Sequence, residues 1–133
     1  MSIEGPEDLA GLERAGAAVA EARDAMLAEA APGVTTAELD EVARDVLRKH
    51  GARSAPQLAY QFPGWTCVSV NDRLAHGIPS KACRLREGDL VNCDVSAELD
   101  GYWADTGASR EVGTETARSQ ELLRATREAL ERG

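Results

Sequence analysis

Apolar residues recur with helical spacing in the first part of the chain. Residues 7–30 are rich in Ala, Glu and Leu, which favour helix formation. Within this segment, large apolar residues recur at intervals of seven, at Leu12, Val19 and Met26. The pattern predicts a helix that rests on a sheet, and Pro32 with Gly33 ends it.

A second helix is predicted between Thr35 and His50. Thr35 and Glu38 have the spacing of a capping box at its start, and Gly51 follows its last residue. Its apolar stripe consists of Leu39, Val42, Ala43, Val46 and Leu47. Because His50 lies at the negative end of this helix, we interpret it as a favourable contact with the helix dipole rather than as a metal ligand.

Strand-like patterns follow in the middle of the chain. Polar and apolar residues alternate over residues 66–70, and longer strand-like segments cover residues 90–99 and 102–112. Asp100 and Gly101 separate the two longer segments. An Asp-Gly pair in this position predicts a hairpin with a two-residue turn.

Residues 119–132 predict an amphipathic helix that ends at Gly133. Its apolar side consists of Leu122, Leu123, Thr126, Ala129 and Leu130. No repeat or flexible linker divides the sequence, so the pattern predicts a single α/β (α+β) domain over residues 1–133.

Asp94 and Asp105 lie eleven residues apart, on either side of the predicted turn. A two-residue turn pairs Ser96 with Asp105, and Asp94 points to the same side of the sheet as Ser96 because side chains alternate along a strand. The two acids then lie roughly 7–8 Å apart on the diagonal, unless a bulge in either strand reverses one of them.

Two carboxylates held this close on a partly buried face repel each other and lose hydration. A divalent cation relieves both costs, and carboxylate oxygens suit hard or borderline ions. Two metal ions bridged by carboxylates can activate water for attack on an amide carbonyl. The alternative is an exposed hairpin whose acids are merely solvated, and the residues upstream of the hairpin favour the metal site.

The composition of the chain indicates which kinds of partner it can bind and in which cell compartment it resides. A net charge of −8, from 15 basic and 23 acidic side chains, opposes strong binding to nucleic acid. The sequence has no long apolar segment to span a membrane, and its acidic first residues lack the pattern of a secretory signal. Three cysteines without a Cys-x-x-Cys pair indicate reduced thiols. We therefore expect a cytoplasmic protein.

A set of motifs with fixed spacing surrounds the acid pair. In chain order they are Tyr60, Phe62, Pro63, Cys67, Ser69, Asn71, His76-Gly77-Ile78-Pro79, Gly88-Asp89, Asn92, Asp94, Asp100-Gly101 and Asp105-Thr106. The set closely resembles the type I methionine aminopeptidases, and the resemblance extends from residues 32–36 to residues 112–113. It implies the N-terminal half of the pita-bread fold, an antiparallel sheet with helices packed on one face. The implied activity is removal of the initiator methionine from new polypeptides.

The resemblance also implies a role for each candidate site residue. Asp94 chelates one of two divalent metal ions and Asp105 bridges both, whereas His76 contacts the scissile amide and helps to stabilise the transition state. The pocket for the methionine side chain is lined by Tyr60, Phe62 and Cys67. The ions are Mn, Fe, Co or Zn, since a mixed oxygen and nitrogen site accepts each of them.

The sequence around His76 favours a fixed position for its imidazole. Gly77 permits close approach of the backbone to a ligand, and Pro79 stiffens the exit from the loop. Cys67 is interpreted as a small apolar side chain, since no second histidine lies nearby to activate a nucleophile. Trp65 departs from the family, which often has a serine near the rim of the pocket.

The family completes its metal site with one histidine and two glutamates from the second half of the fold. This chain ends at Gly133, before that half begins. We expect a fragment of a longer protein, or a natural half that must find a partner. Alone it should bind metal weakly and expose an apolar seam, through which it docks the missing half or self-associates. The expected substrates are peptide or nascent-protein N-termini.

Two other functions remain open. A proline-directed relative of the same fold, such as aminopeptidase P or prolidase, keeps the paired aspartates but generally lacks the Cys-x-Ser-x-Asn and His-Gly-Ile-Pro motifs. A non-catalytic binding module would keep the fold and lose part of the site. The presence of Asp94, Asp105 and His76 argues against such a loss in this half.

Overall fold

A computed structural model describes residues 3–133, in which four helices and four strands occur. They are, in order, α1 (Pro6–Glu29), α2 (Thr36–Lys49), β1 (Arg53–Ser54), α3 (Ala55–Tyr60), β2 (Cys67–Val70), β3 (Leu90–Leu99), β4 (Tyr102–Glu111) and α4 (Ala117–Arg132). The three predicted helices and three predicted strands are confirmed to within one or two residues at each end. The single domain over residues 1–133 stays a prediction, and its first two residues lie outside the described part of the chain. Residues 3–133 contain no helix with both the length and the apolar character to cross a bilayer.

Two short elements, β1 and α3, were not predicted. α3 has six residues, too few for apolar periodicity to indicate a helix. Its start does carry a local signal, since Ser54 Oγ accepts a hydrogen bond from the backbone N–H of Gln57 at 3.4 Å and Pro56 lies in the first turn. Gln61 ends the helix with a left-handed backbone, at a φ of 54°.

β3 is the central strand of one antiparallel sheet. β4 pairs with β3 along the whole length of both strands. β1 and β2 therefore share the other edge of β3, with β1 near its C-terminal end and β2 near its start. The predicted hairpin thus forms the two longest strands of the sheet, and the short strands pair with one of them.

The two faces of this sheet differ in burial. On one face the β3 side chains are fully buried, and they are Val91, Cys93, Val95 and Ala97. On the other face they are polar and partly exposed, and they are Asn92, Asp94 and Ser96. α1 packs on the buried face against β3 and β4, and α2 packs against α1. This confirms the predicted sheet with helices packed on one face, whereas the polar face is bordered only in part, by α4 near Asn92 and Ser109.

The face of α1 that meets the sheet is built largely from small residues. Its buried positions are Gly11, Ala15, Ala18, Val19, Ala22 and Met26. Of the predicted apolar positions, Val19 and Met26 are buried, but Leu12 is only partly buried. The neighbouring Gly11 takes the buried position instead, because the ring of Tyr102 packs over it. The Tyr102 hydroxyl also donates a hydrogen bond to Asp8 Oδ1 at 3.0 Å.

The capping box predicted for α2 is present. Thr35 Oγ1 accepts from the backbone N–H of Glu38 at 3.2 Å, and Glu38 Oε2 accepts from the N–H of Thr35 at 2.7 Å. His50 follows the last turn of α2, as expected, but its side chain has a further partner. Its Nε2 lies 2.7 Å from Glu21 Oε2 of α1, so the imidazole joins the two helices.

α4 exposes the apolar side that was predicted for it. In the described part of the chain, no residue of α4 is buried. Leu122 and Leu130 are 52% and 81% exposed. The helix contacts β4. A helix with uncovered leucines is typical of a surface that docks another element.

Gly11→Ala should destabilise the chain. A Cβ at this position would overlap the ring of Tyr102, so the ring must leave its place or α1 must shift. We expect the free energy of unfolding to fall by about 1–3 kcal/mol, the usual cost of overpacking. Urea denaturation followed by circular dichroism measures the change.

Gly16→Ala is the matched control, because Gly16 also lies in α1 and its Cβ position has no atom within 4 Å. The higher helix propensity of alanine should leave this variant as stable as the parent or up to about 1 kcal/mol more stable. Equal stability of the two variants would contradict the packing of Tyr102 over Gly11.

Candidate active site

The turn between β3 and β4 sets the position of both candidate acids. Asp100 and Gly101 have left-handed backbones, with φ of 53° and 89°, as a two-residue hairpin turn requires. The register pairs Ser96 with Asp105 and continues without a bulge. Asp94 and Asp105 therefore lie diagonally on the same face of the sheet, as the turn predicted.

A cleft of about 450 Å³ opens on this face. It is lined by Pro56, Tyr60, Phe62, Cys67, His76, Asp94, Ser96 and Asp105. All six predicted site residues belong to this set, and Pro56 and Ser96 join them. The structure brings the six together, and their individual roles stay a prediction.

A larger groove, about 720 Å³, lies between β4 and α4. Its lining includes positively charged arginines and negatively charged glutamates. Arg124 and Glu128 form an ion pair at 2.9 Å. Opposite charges that satisfy each other on an exposed helix are typical of a solvated surface. The smaller cleft holds unbalanced acids and is therefore the better candidate.

The acids of the cleft are not balanced by lysine or arginine. Among the described residues that line it, His76 alone can carry a positive charge. Burial raises the pKa of Asp94, and the charge of Asp105 and a hydrogen bond with it raise this pKa further, whereas His76 lowers it. Without a cation, ionisation of Asp94 beside the charge of Asp105 is therefore unfavourable.

Burial raises the pKa of the Cys67 thiol to about 11, and the carboxylates of Asp94, Asp40 and Asp105 add to the effect. The thiol is therefore protonated at neutral pH. A protonated thiol is a poor nucleophile and a good apolar contact, which supports the interpretation of Cys67 as part of the pocket wall.

The chemistry of the acid pair fits part of a divalent-cation site. Carboxylate oxygens are preferred ligands of hard and borderline divalent ions. Ser96 Oγ donates a hydrogen bond to Asp105 Oδ1 at 2.6 Å, which orients that carboxylate and leaves Oδ2 for another partner. Within residues 3–133, no group of three or more His, Cys, Asp and Glu side chains could hold a metal ion. Asp94 and Asp105 together would supply part of a coordination sphere.

The apolar side of the cleft comes from the end of α3 and the start of β2. Tyr60 is the last residue of α3 and is 83% exposed, so its ring stands at the rim. Phe62 is partly buried. Cys67 is the direct cross-strand partner of Asp94. Apolar and acidic surfaces therefore meet within one cleft.

Asp40 supports the cleft from α2, and no sequence pattern indicates it. Its carboxylate accepts hydrogen bonds from the backbone N–H of Trp65 at 3.0 Å and of Thr66 at 2.8 Å, and from the Thr66 hydroxyl at 2.7 Å. Ser54 Oγ donates to the carbonyl of Trp65 at 2.7 Å. These bonds fix the segment that leads into Cys67.

Trp65, which stands where the family often has a serine near the pocket rim, is not among the residues that line the cleft. Its ring packs against the core, and the guanidinium carbon of Arg48 lies 5.2 Å from its centre. The rim is formed by Tyr60 instead.

The sequence matches one family of known proteins. The model of metallopeptidase family M24 matches residues 10–133. Methionine aminopeptidase 2 of Bacillus subtilis is 45% identical over 133 residues, which are 100% of this chain and 53% of that protein. A methionine aminopeptidase of Staphylococcus epidermidis is 52% identical over 113 residues, which are 85% of this chain and 45% of that protein. The chain thus spans about half the length of the curated relatives it matches.

The fold is also similar to solved structures. The crystal structure of a methionine aminopeptidase from Thermotoga maritima has a TM-score of 0.92 and 32% identity over 99% of this chain and 53% of its own. A variant of Escherichia coli aminopeptidase P has a TM-score of 0.73 and 27% identity over 88% of this chain and 26% of its own. The match is closer to the methionine aminopeptidase than to the aminopeptidase P.

Asp94→Asn should stabilise the metal-free chain at neutral pH. Because the pKa of Asp94 is raised, the folded state holds this proton more tightly than the unfolded state, and ionisation opposes folding. The free energy of unfolding of the variant should therefore exceed that of the parent near pH 7. The gain should shrink as the pH falls towards 3.8, the ordinary value for Asp.

Urea denaturation near pH 7 and near pH 4, in the presence of a chelator, measures this difference. Asp45→Asn is the control, because Asp45 lies on α2, is 59% exposed and pairs with Arg44. It should change stability little at either pH. A less stable Asp94→Asn near pH 7 would contradict the expected repulsion.

Asp40→Ala should destabilise the fold by about 1–3 kcal/mol, because it leaves the backbone N–H groups of Trp65 and Thr66 without their acceptor. Asp45→Ala removes an exposed carboxylate from the same helix and should change the free energy of unfolding by less than about 0.5 kcal/mol. Thermal and urea denaturation of both variants measure the effect. Similar stability of the two would show that Asp40 does not hold the β2 segment.

Proposed function

Because the chain belongs to metallopeptidase family M24, we propose that it forms the N-terminal half of a methionine aminopeptidase, which removes the N-terminal methionine from new proteins. The observation that carries the proposal is the shared face of Asp94 and Asp105 in a cleft that also contains His76 and an apolar wall. Acidic and apolar surfaces in one cleft suit a peptide N-terminus with an apolar first residue.

Asp94 and Asp105 would hold two divalent ions, drawn from Mn, Fe, Co and Zn. Such ions, when bound, polarise a carbonyl and activate water for hydrolysis. The acid pair suits them because its carboxylates already lie together without lysine or arginine. Ser96 keeps Asp105 in one orientation through its hydrogen bond to Oδ1.

The other residues of the cleft bind and orient the peptide. The positive amino terminus is attracted by the carboxylates of Asp94 and Asp105. The methionine side chain packs against the apolar wall of Tyr60, Phe62 and Cys67. His76 donates a hydrogen bond to the scissile amide and stabilises charge that develops there.

The remaining ligands, one histidine and two glutamates, come in this proposal from a second half of the fold. Two observations support a second half. Among residues 3–133, no group of three or more His, Cys, Asp and Glu side chains could hold a metal ion, and the chain spans only about half the length of the curated relatives. That half is carried by the same polypeptide beyond Gly133 or by a separate one. The exposed leucines of α4 are the surface proposed to contact it or a second copy of the chain. A cytoplasmic location stays a prediction.

A non-catalytic binding module is the candidate from a different class, and the presence of Asp94, Asp105 and His76 in one cleft argues against it. Elemental mass spectrometry of the whole protein separates the two functions. About two equivalents of a divalent metal support the enzyme, whereas a metal-free protein that still binds peptide N-termini supports the binding module.

The whole protein, with residues 1–133 and the polypeptide that completes the fold, should release methionine from a Met-Ala-Ser peptide and leave an Ala-Pro peptide intact. Asp94→Asn or Asp105→Asn should lower kcat/KM on the order of 10²-fold or more, because each removes a charge that holds the catalytic cation. Chromatography of the released amino acid measures both. Asp45→Asn, outside the cleft, should leave kcat/KM unchanged.

Residues 1–133 alone should bind Mn²⁺ weakly by calorimetry and release no useful amount of methionine. Efficient release by residues 1–133 would contradict the proposed need for a second half. Faster cleavage of the Ala-Pro peptide by the whole protein would favour the proline-directed alternative.

A further inference from the structure

The loop that carries His76 follows β2 and is fastened to the sheet at both ends. At its start, the backbone N–H of Asn71 donates to the carbonyl of Leu90 at 2.9 Å. At its end, the carbonyl of Gly77 accepts from the N–H of Val68 at 2.9 Å. The residues between these two anchors are exposed. The position of the loop therefore depends on its ends.

Gly77 was expected to permit approach of the backbone to a ligand, and it lies instead against β2. It is buried, and its N–H donates to Ser69 Oγ at 3.1 Å. A Cβ at this position would overlap the carbonyl oxygen of Val68, so the close approach requires glycine. Ser69 is 3% exposed. Its hydroxyl and the Gly77 N–H therefore satisfy each other away from solvent.

His76 immediately precedes this anchor. Its backbone is left-handed, with a φ of 55°, and its side chain lines the cleft together with Asp94 and Asp105. A left-handed conformation is unfavourable for a residue with a Cβ, so the surrounding structure must hold it. The anchor at Gly77 holds the residue next to it, and so sets where the imidazole projects.

We propose that Ser69 is a positioning residue for His76. Its hydroxyl accepts the Gly77 N–H, holds that residue against β2, and thereby keeps the imidazole over Asp94 and Asp105. Ser69 does not line the cleft, so it acts through Gly77 rather than on the substrate. The role of His76 rests on the proposed function, whereas the clamp between Ser69 and Gly77 can be measured without metal or substrate.

The two histidines of the chain make the clamp measurable by NMR. His76 reports on the loop, and His50, which lies 2.7 Å from Glu21 between α1 and α2, is the internal reference. In the metal-free, isotope-labelled chain, the Gly77 amide should exchange with solvent at least about tenfold more slowly than the amides of residues 74–76. Equal exchange rates in the parent chain would overturn the clamp before any substitution is made.

Ser69→Ala removes the acceptor and should release the loop. We expect the Gly77 amide to exchange at least about tenfold faster than in the parent, and the ring resonances of His76 to move towards random-coil values. The ring resonances of His50 should not move. Ser69→Thr keeps the hydroxyl. In this variant the Gly77 amide should exchange as slowly as in the parent, and the His76 ring resonances should keep their parent positions.

Ser109→Ala is the matched control, because it removes another strand hydroxyl that accepts one hydrogen bond, from Asn92 Nδ2 at 2.9 Å. It should leave the His76 resonances and the Gly77 exchange rate unchanged. An unchanged Gly77 rate in Ser69→Ala would overturn the proposal. Equal changes at both histidines would also overturn it, since they indicate general loosening of the fold.

Mn²⁺ alone connects the clamp to the proposed metal site. In the parent, Mn²⁺ bound at the acid pair should broaden the His76 resonances more than those of His50. The selective broadening of the His76 resonances should be smaller in Ser69→Ala and absent in Asp94→Asn. Absence of selective broadening in the parent would count against the proposed function and leave the exchange measurements to decide the clamp. Selective broadening of equal size in the parent and Ser69→Ala would overturn the positioning role.

Discussion

The diagonal placement of Asp94 and Asp105 across the β3–β4 hairpin is the constraint on which the rest of the structure depends. It follows from the left-handed backbones of Asp100 and Gly101, which allow a two-residue turn. A shift of the register by one residue would move one acid to the opposite face. The uninterrupted ladder between the two strands prevents this shift. The carboxylates are therefore held together although the charge of Asp105 makes ionisation of Asp94 less favourable.

The opposite face of the hairpin supplies the stability that this arrangement requires. There the β3 side chains are fully buried beneath α1, and buried apolar area is the dominant favourable term in folding. The small residues of α1 let the helix approach the strands closely. Stability and chemistry are thus divided between two faces of the same strands, and a cation at the acids would relieve the cost on the open face.

The walls of the cleft are held by backbone anchors that lie outside it. The carboxylate of Asp40 binds the segment leading into Cys67, and Ser69 binds the N–H of Gly77 beside His76. In both cases a buried or partly buried polar side chain satisfies backbone groups of a loop. Such bonds cost much to break, because the released N–H groups lose their partners. They therefore fix the backbone beside the buried Cys67 and the exposed His76.

The sequence by itself determined the features that depend on neighbours along the chain. The capping box of Thr35 and Glu38, the Asp100-Gly101 turn and the same-face placement of Asp94 and Asp105 all follow from spacing, because alternation along a strand and hydrogen bonding within a turn are local. The motif resemblance extended this to the pocket residues and to the expectation of a half-site.

Only the tertiary structure decided which distant residues meet. Asp40 meets Thr66, Ser69 meets Gly77, and Glu21 meets His50, although the two members of each pair lie in different segments of the chain. No periodicity along the chain links these pairs. The same holds for Gly11, which is buried because Tyr102, far away in sequence, packs over it. Such contacts arise when helices and strands pack against one another. Their distances are set by the folded arrangement of the whole domain and not by spacing along the chain.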